Sequence, residues 1–318
     1  PTSIPLRHAW QDICSCVKLC DPVKFSSLGR EGGSVKRHSL GLVICYALGL
    51  LVAVAVSFQA RAAQREWTGN STPAPDGLFE TAGNWSLSLP PTLDDQAVFN
   101  VPASYTVTLG TSPTVDTVGI NAGQVTFESN AASIRQVTTL RGWTQSSGSA
   151  TLNRVDLGIG GDMTLEGASS LSMPAADLSI GGMLTIGSAT PGDAVAVLGG
   201  PGSPSELTVL GVTRVGNIAG GTGTLRLREG TEGSFSGVLA VGSAGSGLME
   251  ILSGSSATLD GTLLVASQFG PAGSGKLVID GDGSLLDITG AGEIAVGVPG
   301  RTAEVQISSG GYLSTGTG

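Results

Sequence analysis

Residues 242–267, GSAGSGLMEILSGSSATLDGTLLVAS, contain the pattern that decides the fold. Apolar segments such as 248–251 (LMEI) and 257–259 (ATL) are short, alternate or nearly alternate with polar residues, and are bounded by Gly or Ser. Segments of this kind fit β-strands and are too short to form helices. The stretch therefore predicts several short strands that are joined by turns.

Equivalent segments recur along the C-terminal part of the chain, and each of them carries a valine at the same place. These valines are Val215, Val241, Val265 and Val296. Their separations of 26, 24 and 31 residues fall in the range of solenoid repeats. A weaker version of the pattern runs through residues 155–173 and 176–188.

Three strands and three turns per repeat correspond to one coil of a solenoid, in which equivalent residues stack on each other from coil to coil. We therefore predict an all-β fold, a right-handed parallel β-helix (β-solenoid) with coils of about 25 residues. A β-sandwich built from hairpins is the alternative, but it does not require the valine to return in register. The 50 glycines among 318 residues agree with a solenoid, because its corners need a positive φ that glycine adopts at little cost.

The first part of the chain differs from the repeats. Residues 1–35 form an N-terminal extension to which we assign no role. A basic cluster at residues 36–38 then precedes an apolar run at residues 40–58, and a small-x-small site ends at Ala62. This order is typical of a secretory signal, although a run of this length also suffices for a membrane anchor. We assign residues 36–62 as a signal peptide or anchor and favour cleavage after Ala62.

The chemistry left to the chain after Ala62 is limited, because all four cysteines and both histidines precede that residue. The remainder has no disulfide, no histidine base, no cysteine nucleophile, and no histidine or cysteine ligand for zinc. From Ala63 onward, nine Lys and Arg stand against 22 Asp and Glu, a net charge of −13 that repels nucleic acid and anionic lipid. We expect no cofactor and no nucleic-acid partner. Membrane contact is expected only through the N-terminal segment or a C-terminal anchor that is missing from this sequence.

Residues 63–130 form a leading segment in which tryptophans are prominent. Trp67 begins a W-T-G motif, an N-W pair ends at Trp85, and a proline pair is followed by DDQAVF, which ends at Phe99. This arrangement resembles the motif at the start of large secreted bacterial proteins of the autotransporter-associated β-strand repeat kind, with Phe79 in the place of the middle tryptophan. We predict that Trp67 and Trp85 cap the end of the solenoid, and a sugar-stacking platform is the alternative.

The resemblance implies a β-helix that is exposed outside the cell and is adhesive or structural, and it supplies no catalytic residue. In such proteins the repeats are usually followed by a membrane barrel or another anchoring module. Residues 131–318 are then expected to be glycine-rich solenoid repeats that continue beyond the end of this sequence.

Asp280 and Asp282, in the stretch VIDGDGSLLD, are candidate calcium ligands. Alternate residues of a strand point to the same side, which is the placement that a calcium site or a carboxylate dyad requires. A turn is the competing interpretation, because Asp and Gly both suit tight corners. Asp94 and Asp95 follow Pro90 and Pro91 and precede an alternating apolar strand, so we interpret them as part of a loop that leads into the first coil.

These observations favour an exported, non-enzymatic β-solenoid, secreted or at the cell surface, that is adhesin-like or structural. Many weak contacts along the coils would give it avidity for a surface, a matrix glycan or a neighbouring cell. The alternative is a secreted polysaccharide lyase or glycoside hydrolase of the β-helix type. Without histidine, such an enzyme would depend on a carboxylate pair, or on calcium carboxylates with Lys276 or Arg301 as the base.

Overall fold

The computed structural model describes residues 63–69, 76–188, 192–266, 273–290 and 292–316. The chain divides into two units, Pro1–Gln59 and Ala60–Gly318, and every described residue belongs to the second. The extension at 1–35 and the signal or anchor segment at 36–62 lie outside the described residues. No helix within the described ranges is long and apolar enough to cross a membrane.

The described residues form twenty-five strands and two short 3-10 helices, Ala82–Asn84 and Ser86–Ser88. The strands are β1 (Gln64–Glu66), β2 (Gly77–Leu78), β3 (Gln96–Phe99), β4 (Ser104–Leu109), β5 (Thr114–Ile120), β6 (Gln124–Ser129), β7 (Arg135–Gln145), β8 (Gly148–Asn153), β9 (Val155–Ile159), β10 (Asp162–Glu166), β11 (Ser169–Met173), β12 (Leu178–Ile180), β13 (Leu184–Ser188), β14 (Gly192–Leu198), β15 (Glu206–Val209), β16 (Thr213–Val215), β17 (Gly221–Leu227), β18 (Glu232–Val241), β19 (Ser246–Leu252), β20 (Ser256–Val265), β21 (Ser274–Asp280), β22 (Leu285–Ile288), β23 (Ile294–Val296), β24 (Thr302–Ser308) and β25 (Tyr312–Thr315).

Neighbouring strands in both sheets run parallel, so the chain winds as a β-solenoid of about eight turns with coils about 25 residues apart. This confirms the predicted fold. The ten-stranded sheet, from β2 to β24, forms one face, which we call face B. The fifteen-stranded sheet covers two faces, because β18 and β20 bend across the corner and join them. In each of these long strands, the N-terminal part lies in one face, which we call face C, and the C-terminal part lies in the other, which we call face A.

The repeating valines stack as predicted. Val215 pairs with Val241, Val241 with Val265, and Val265 with Val296 in successive strands of face A. The first three are fully buried. The spacing of 31 residues before Val296 therefore reflects longer turns within one coil and not a change of register. Strands also pair across the boundary at residue 130, where β5 pairs with β7 and β6 with β8.

The residue after each valine turns the chain from face A to face B. Gly216, Gly242 and Gly297 have φ of 73°, 77° and 76°, and Ala266 takes the same place with φ of 52°. Their amide groups donate to a carbonyl of the coil below, which is Ile186 O for Gly216 and a valine carbonyl for the other three, as from Gly242 N to Val215 O at 2.7 Å. The valine–glycine pair thus combines a core residue with a left-handed corner, which confirms the role predicted for these glycines.

A second line of glycines lies against this corner. Gly223, Gly247 and Gly275 pair with one another in successive strands of face B. A Cβ atom on Gly247 would lie 2.2 Å from Gly242 N and 2.3 Å from Val215 O, the two atoms of the hydrogen bond between the coils. These positions require glycine because two backbone segments approach too closely for any side chain.

The N-terminal end of the stack is closed by aromatic side chains. Trp85 packs edge-to-face on Trp67 and on Phe79, with ring centroids 5.0 Å apart in both pairs. The Trp85 Nε1–H group donates to Phe79 O at 2.6 Å. Trp67 and Trp85 are 2% exposed, so they cap the solenoid as predicted. The alternative of a sugar-stacking platform is wrong, because neither ring has an open face.

Candidate functional surface

The candidate calcium ligands lie at the corner that follows β21. Asp280 ends the strand, and Gly281 and Gly283 have φ of 100° and 78°. The segment is therefore a turn between face B and face C. The Asp280 carboxylate accepts a hydrogen bond from Ser308 Oγ at 2.7 Å, and the hydroxyls of Ser308 and Ser309 lower its pKa.

Calcium binding at Asp280 and Asp282 remains a prediction. Among the described residues, no group of three or more His, Cys, Asp or Glu side chains could hold a metal ion. The two candidate bases of the enzyme alternative already have partners. Lys276 Nζ lies 2.9 Å from Glu304 Oε1, and Arg301 Nη1 donates to Ser243 O at 2.9 Å.

Asp95 lies in the loop before β3, where the sequence predicts it. Its carboxylate accepts hydrogen bonds from Thr92 N at 3.0 Å and Thr92 Oγ1 at 2.9 Å, and Arg65 Nε is 3.5 Å away. Burial raises the pKa of Asp95, but the Thr92 hydrogen bonds and the Arg65 charge outweigh burial and lower it. Asp95 therefore stabilises the cap, while the neighbouring Asp94 is exposed.

Carboxylates follow one another along face C. Asp177 N donates to Asp156 Oδ1 at 2.9 Å, and Glu206 N donates to Asp177 Oδ1 at 2.8 Å. Glu206 then pairs with Glu232 in the next coil. Burial and the charge of Asp177 raise the pKa of Asp156. This row of negative charge disfavours an anionic ligand on face C.

Apart from one row that contains Glu128, the outward side chains of face B in the first coils are polar and uncharged. They form two rows across strands β4, β6, β8 and β11, with one residue of each row in each strand. We call these eight residues the hydroxyl surface: Ser104, Gln124, Ser149 and Ser170 in the first row, and Thr106, Thr126, Thr151 and Ser172 in the second. Paired strands lie about 4.8 Å apart, so that each row repeats its polar groups at that interval.

A shallow groove of about 500 Å³ lies beside the first row, at the corner between face A and face B. Gly123 and Gly148, with φ of 80° and 78°, turn the chain there. The Ser104 Oγ–H group donates to Gln124 Oε1 at 2.8 Å. The groove is lined by Pro102, Ala103, Ser104, Gly123, Gln124, Gly148, Ser149, Ala168 and Ser170. It therefore offers hydroxyl, amide and backbone groups without a charged side chain.

The hydroxyl surface ends after β11. The same two rows continue with Val195 and Val197 in β14, and later with charged residues. There the coils are joined by ion pairs, Arg226 with Glu250 and Lys276 with Glu304. The sequence analysis did not identify the hydroxyl surface, although the alternating Ser and Thr of SYTVTL (104–109) and SSLSM (169–173) could have indicated it.

No protein family, curated protein or solved structure that was compared with this chain matches it.

Proposed function

We propose that this protein is an exported, non-enzymatic β-solenoid, secreted or at the cell surface, that binds neutral glycans of a matrix or a neighbouring cell through the hydroxyl surface. The observation that carries the proposal is the repetition of uncharged hydroxyl and amide groups over four successive strands of face B. The signal-like order of residues 36–62 supports export.

The charge of the chain supports a neutral ligand. From Ala63 onward the net charge is −13, and face C carries a row of carboxylates. An acidic polymer would be repelled by these groups. A neutral glycan presents hydroxyls that can both donate and accept hydrogen bonds, as the Ser and Thr side chains of the hydroxyl surface do.

Binding would depend on repetition. Each hydrogen bond contributes about 0.5–1.5 kcal/mol after desolvation, which is too little for a single contact to hold a polymer. Several contacts on one rigid rod raise the overall affinity, because the later contacts form within the complex. Attachment to a membrane would come from residues 36–62 or from an anchor outside this sequence.

The test is binding of the full chain to immobilised neutral glucan, mannan and galactan, with polygalacturonate as an acidic control. We expect binding to the neutral polymers alone. The triple variant Gln124→Ala, Ser149→Ala, Thr151→Ala removes polar groups from two strands, β6 and β8, and about a tenfold or larger loss of affinity is expected.

The matched control is Thr222→Ala with Thr224→Ala, which removes hydroxyls from β17 on the same face but outside the hydroxyl surface. Its affinity should be unchanged. Equal binding by the wild type and the triple variant, at unchanged melting temperature, would refute the proposed surface. Unsaturated ends released from polygalacturonate would instead support the lyase alternative.

A further inference from the structure

The groove at the corner between face A and face B runs along the solenoid axis, because four successive coils contribute to its lining. One of its sides is a wall of polar side chains that pair in register in successive strands: Ser104, Gln124, Ser149 and Ser170. Neighbouring strands of this set lie about 4.8 Å apart. The polar wall is therefore straight and about 14 Å long.

The residues that precede the polar wall at the corner are small. Pro102, Ala103 and Ala168 are apolar and exposed. None of the nine lining residues carries a charge or an aromatic ring. The groove therefore offers hydrogen-bonding groups along one side and small apolar groups beside them, a combination that suits ligand binding. A chain of neutral sugars has the same two kinds of surface, since its hydroxyl groups lie at the edges of each ring and its C–H groups lie on the ring faces.

The backbone of the groove is held from inside the core by one glutamine. Gln145 Nε2 donates to Gly148 O and to Ser170 O, at 2.9 Å in both cases. Gln145 is fully buried, and its partners in the neighbouring coils are the apolar Ile120 and Leu165. A buried amide is costly unless it is hydrogen-bonded, and here its bonds tie two coils together at the groove. The shape of the groove is therefore fixed before a ligand binds, which favours affinity.

Gln124 has the longest side chain of the polar wall, and its amide group has a fixed orientation. Ser104 Oγ donates a hydrogen bond to Gln124 Oε1 at 2.8 Å. Among the described residues, no group accepts a hydrogen bond from Gln124 Nε2, and the side chain is exposed. The two N–H groups of this nitrogen are therefore available as donors to a ligand in the groove.

We propose that the groove binds one linear chain of β-1,4-linked glucose or mannose along its length, with Gln124 Nε2 as the donor that selects this ligand. The linkages of such a chain are equatorial, so the chain is a straight ribbon in which each sugar advances by about one strand interval. Successive sugars then meet successive residues of the polar wall. An α-1,4-linked chain curves and leaves a straight wall after a few sugars. This inference rests on the proposed function, and it names the polymer and the part of the hydroxyl surface that holds it.

The first test compares linkages. Isothermal titration calorimetry of the full chain gives Kd values for the β-1,4-linked hexamers of glucose and of mannose and for the α-1,4-linked hexamer of glucose. We expect at least one β-linked hexamer to bind about tenfold more tightly than the α-linked hexamer, because only a straight ligand contacts the whole polar wall. An α-linked hexamer that binds as tightly as both β-linked hexamers would overturn the inference.

The second test changes single side chains. Gln124→Met keeps the length of the side chain and removes the donor, and it should raise the Kd of the preferred hexamer by about 5- to 10-fold. Gln306→Met makes the same change on face B far from the groove, and it should leave the Kd unchanged. The double variant Thr126→Ala, Thr151→Ala removes hydroxyls from the second row, which does not line the groove, and it should raise the Kd by about twofold at most.

The outcomes separate this inference from the proposed function. If Gln124→Met bound the hexamer as tightly as the wild type, at an unchanged melting temperature, the inference would be overturned and the proposed function would stand. The same holds if the second-row variant lost as much affinity as Gln124→Met, since the polymer would then lie across the flat surface and not in the groove. Absence of binding to every neutral polymer would refute the proposed function as well.

Discussion

Replacing Gly247 by alanine tests the way in which successive coils approach each other. The new Cβ would lie 2.2 Å from Gly242 N and 2.3 Å from Val215 O, and ordinary contacts begin at 3.4 Å. Both atoms belong to backbone, and they form the hydrogen bond between two coils at 2.7 Å. The methyl group can therefore be accommodated only by moving the coils apart.

The expected cost follows from these contacts. Overpacking of a well-packed core costs about 1–3 kcal/mol, and loss of the hydrogen bond adds about 1 kcal/mol. We expect the free energy of unfolding to fall by about 2–4 kcal/mol. With a urea slope of about 2–3 kcal/mol per molar, the unfolding midpoint should fall by about 1 M.

The measurement is urea unfolding followed by circular dichroism. Gly119→Ala is the matched control, because its added Cβ would meet Gln96 Nε2 at 3.5 Å and Val98 Cγ2 at 3.8 Å, in ordinary contact. That variant should be neutral or stabilised by up to about 1 kcal/mol, since alanine restricts the unfolded chain. If Gly247→Ala proved as stable as Gly119→Ala, the close approach of the coils would be refuted.

Three further predictions concern single residues. Ala266→Gly should raise stability by about 0.5–1 kcal/mol, because alanine holds φ of 52° at a corner where glycine is unstrained, and thermal unfolding would show it. Trp85→Ala should lower the free energy of unfolding by about 3–5 kcal/mol by opening the cap, and an unchanged urea midpoint would argue against that role. Asp95→Asn should destabilise the protein at pH 7, and the difference from wild type should shrink on acidification. The pKa of Asp95 is lowered in the folded state, so its contribution is complete above the unfolded value of about 3.9 and is lost as the pH falls through the folded value.

The repeat pattern was sufficient to predict the solenoid and the stacking of the valines. Val215 and Val241 mark equivalent positions because each coil buries its inward residues against the next. The capping role of Trp67 and Trp85 could also be predicted from the sequence, since large aromatic side chains that precede a repeat can cover the end of its hydrophobic core.

Other features depend on distances between coils and could not be inferred from the pattern. In the sequence, Gly247 cannot be distinguished from a glycine in a turn. In the structure its φ is not positive, and glycine is required there because the backbone of the neighbouring segment lies too close for a side chain. The hydroxyl surface could be recognised only from the register of four paired strands. The spacing of residues in the sequence does not give that register.

The measurement that tests the central claim most directly is the affinity of the full chain for fragments of graded length from the neutral polymer that it binds most tightly. The rows of the hydroxyl surface cross four strands at about 4.8 Å intervals, so affinity should rise with fragment length until a fragment spans roughly 15 Å, and then level off. Affinity that is independent of length, or no binding to any neutral polymer, would contradict the account.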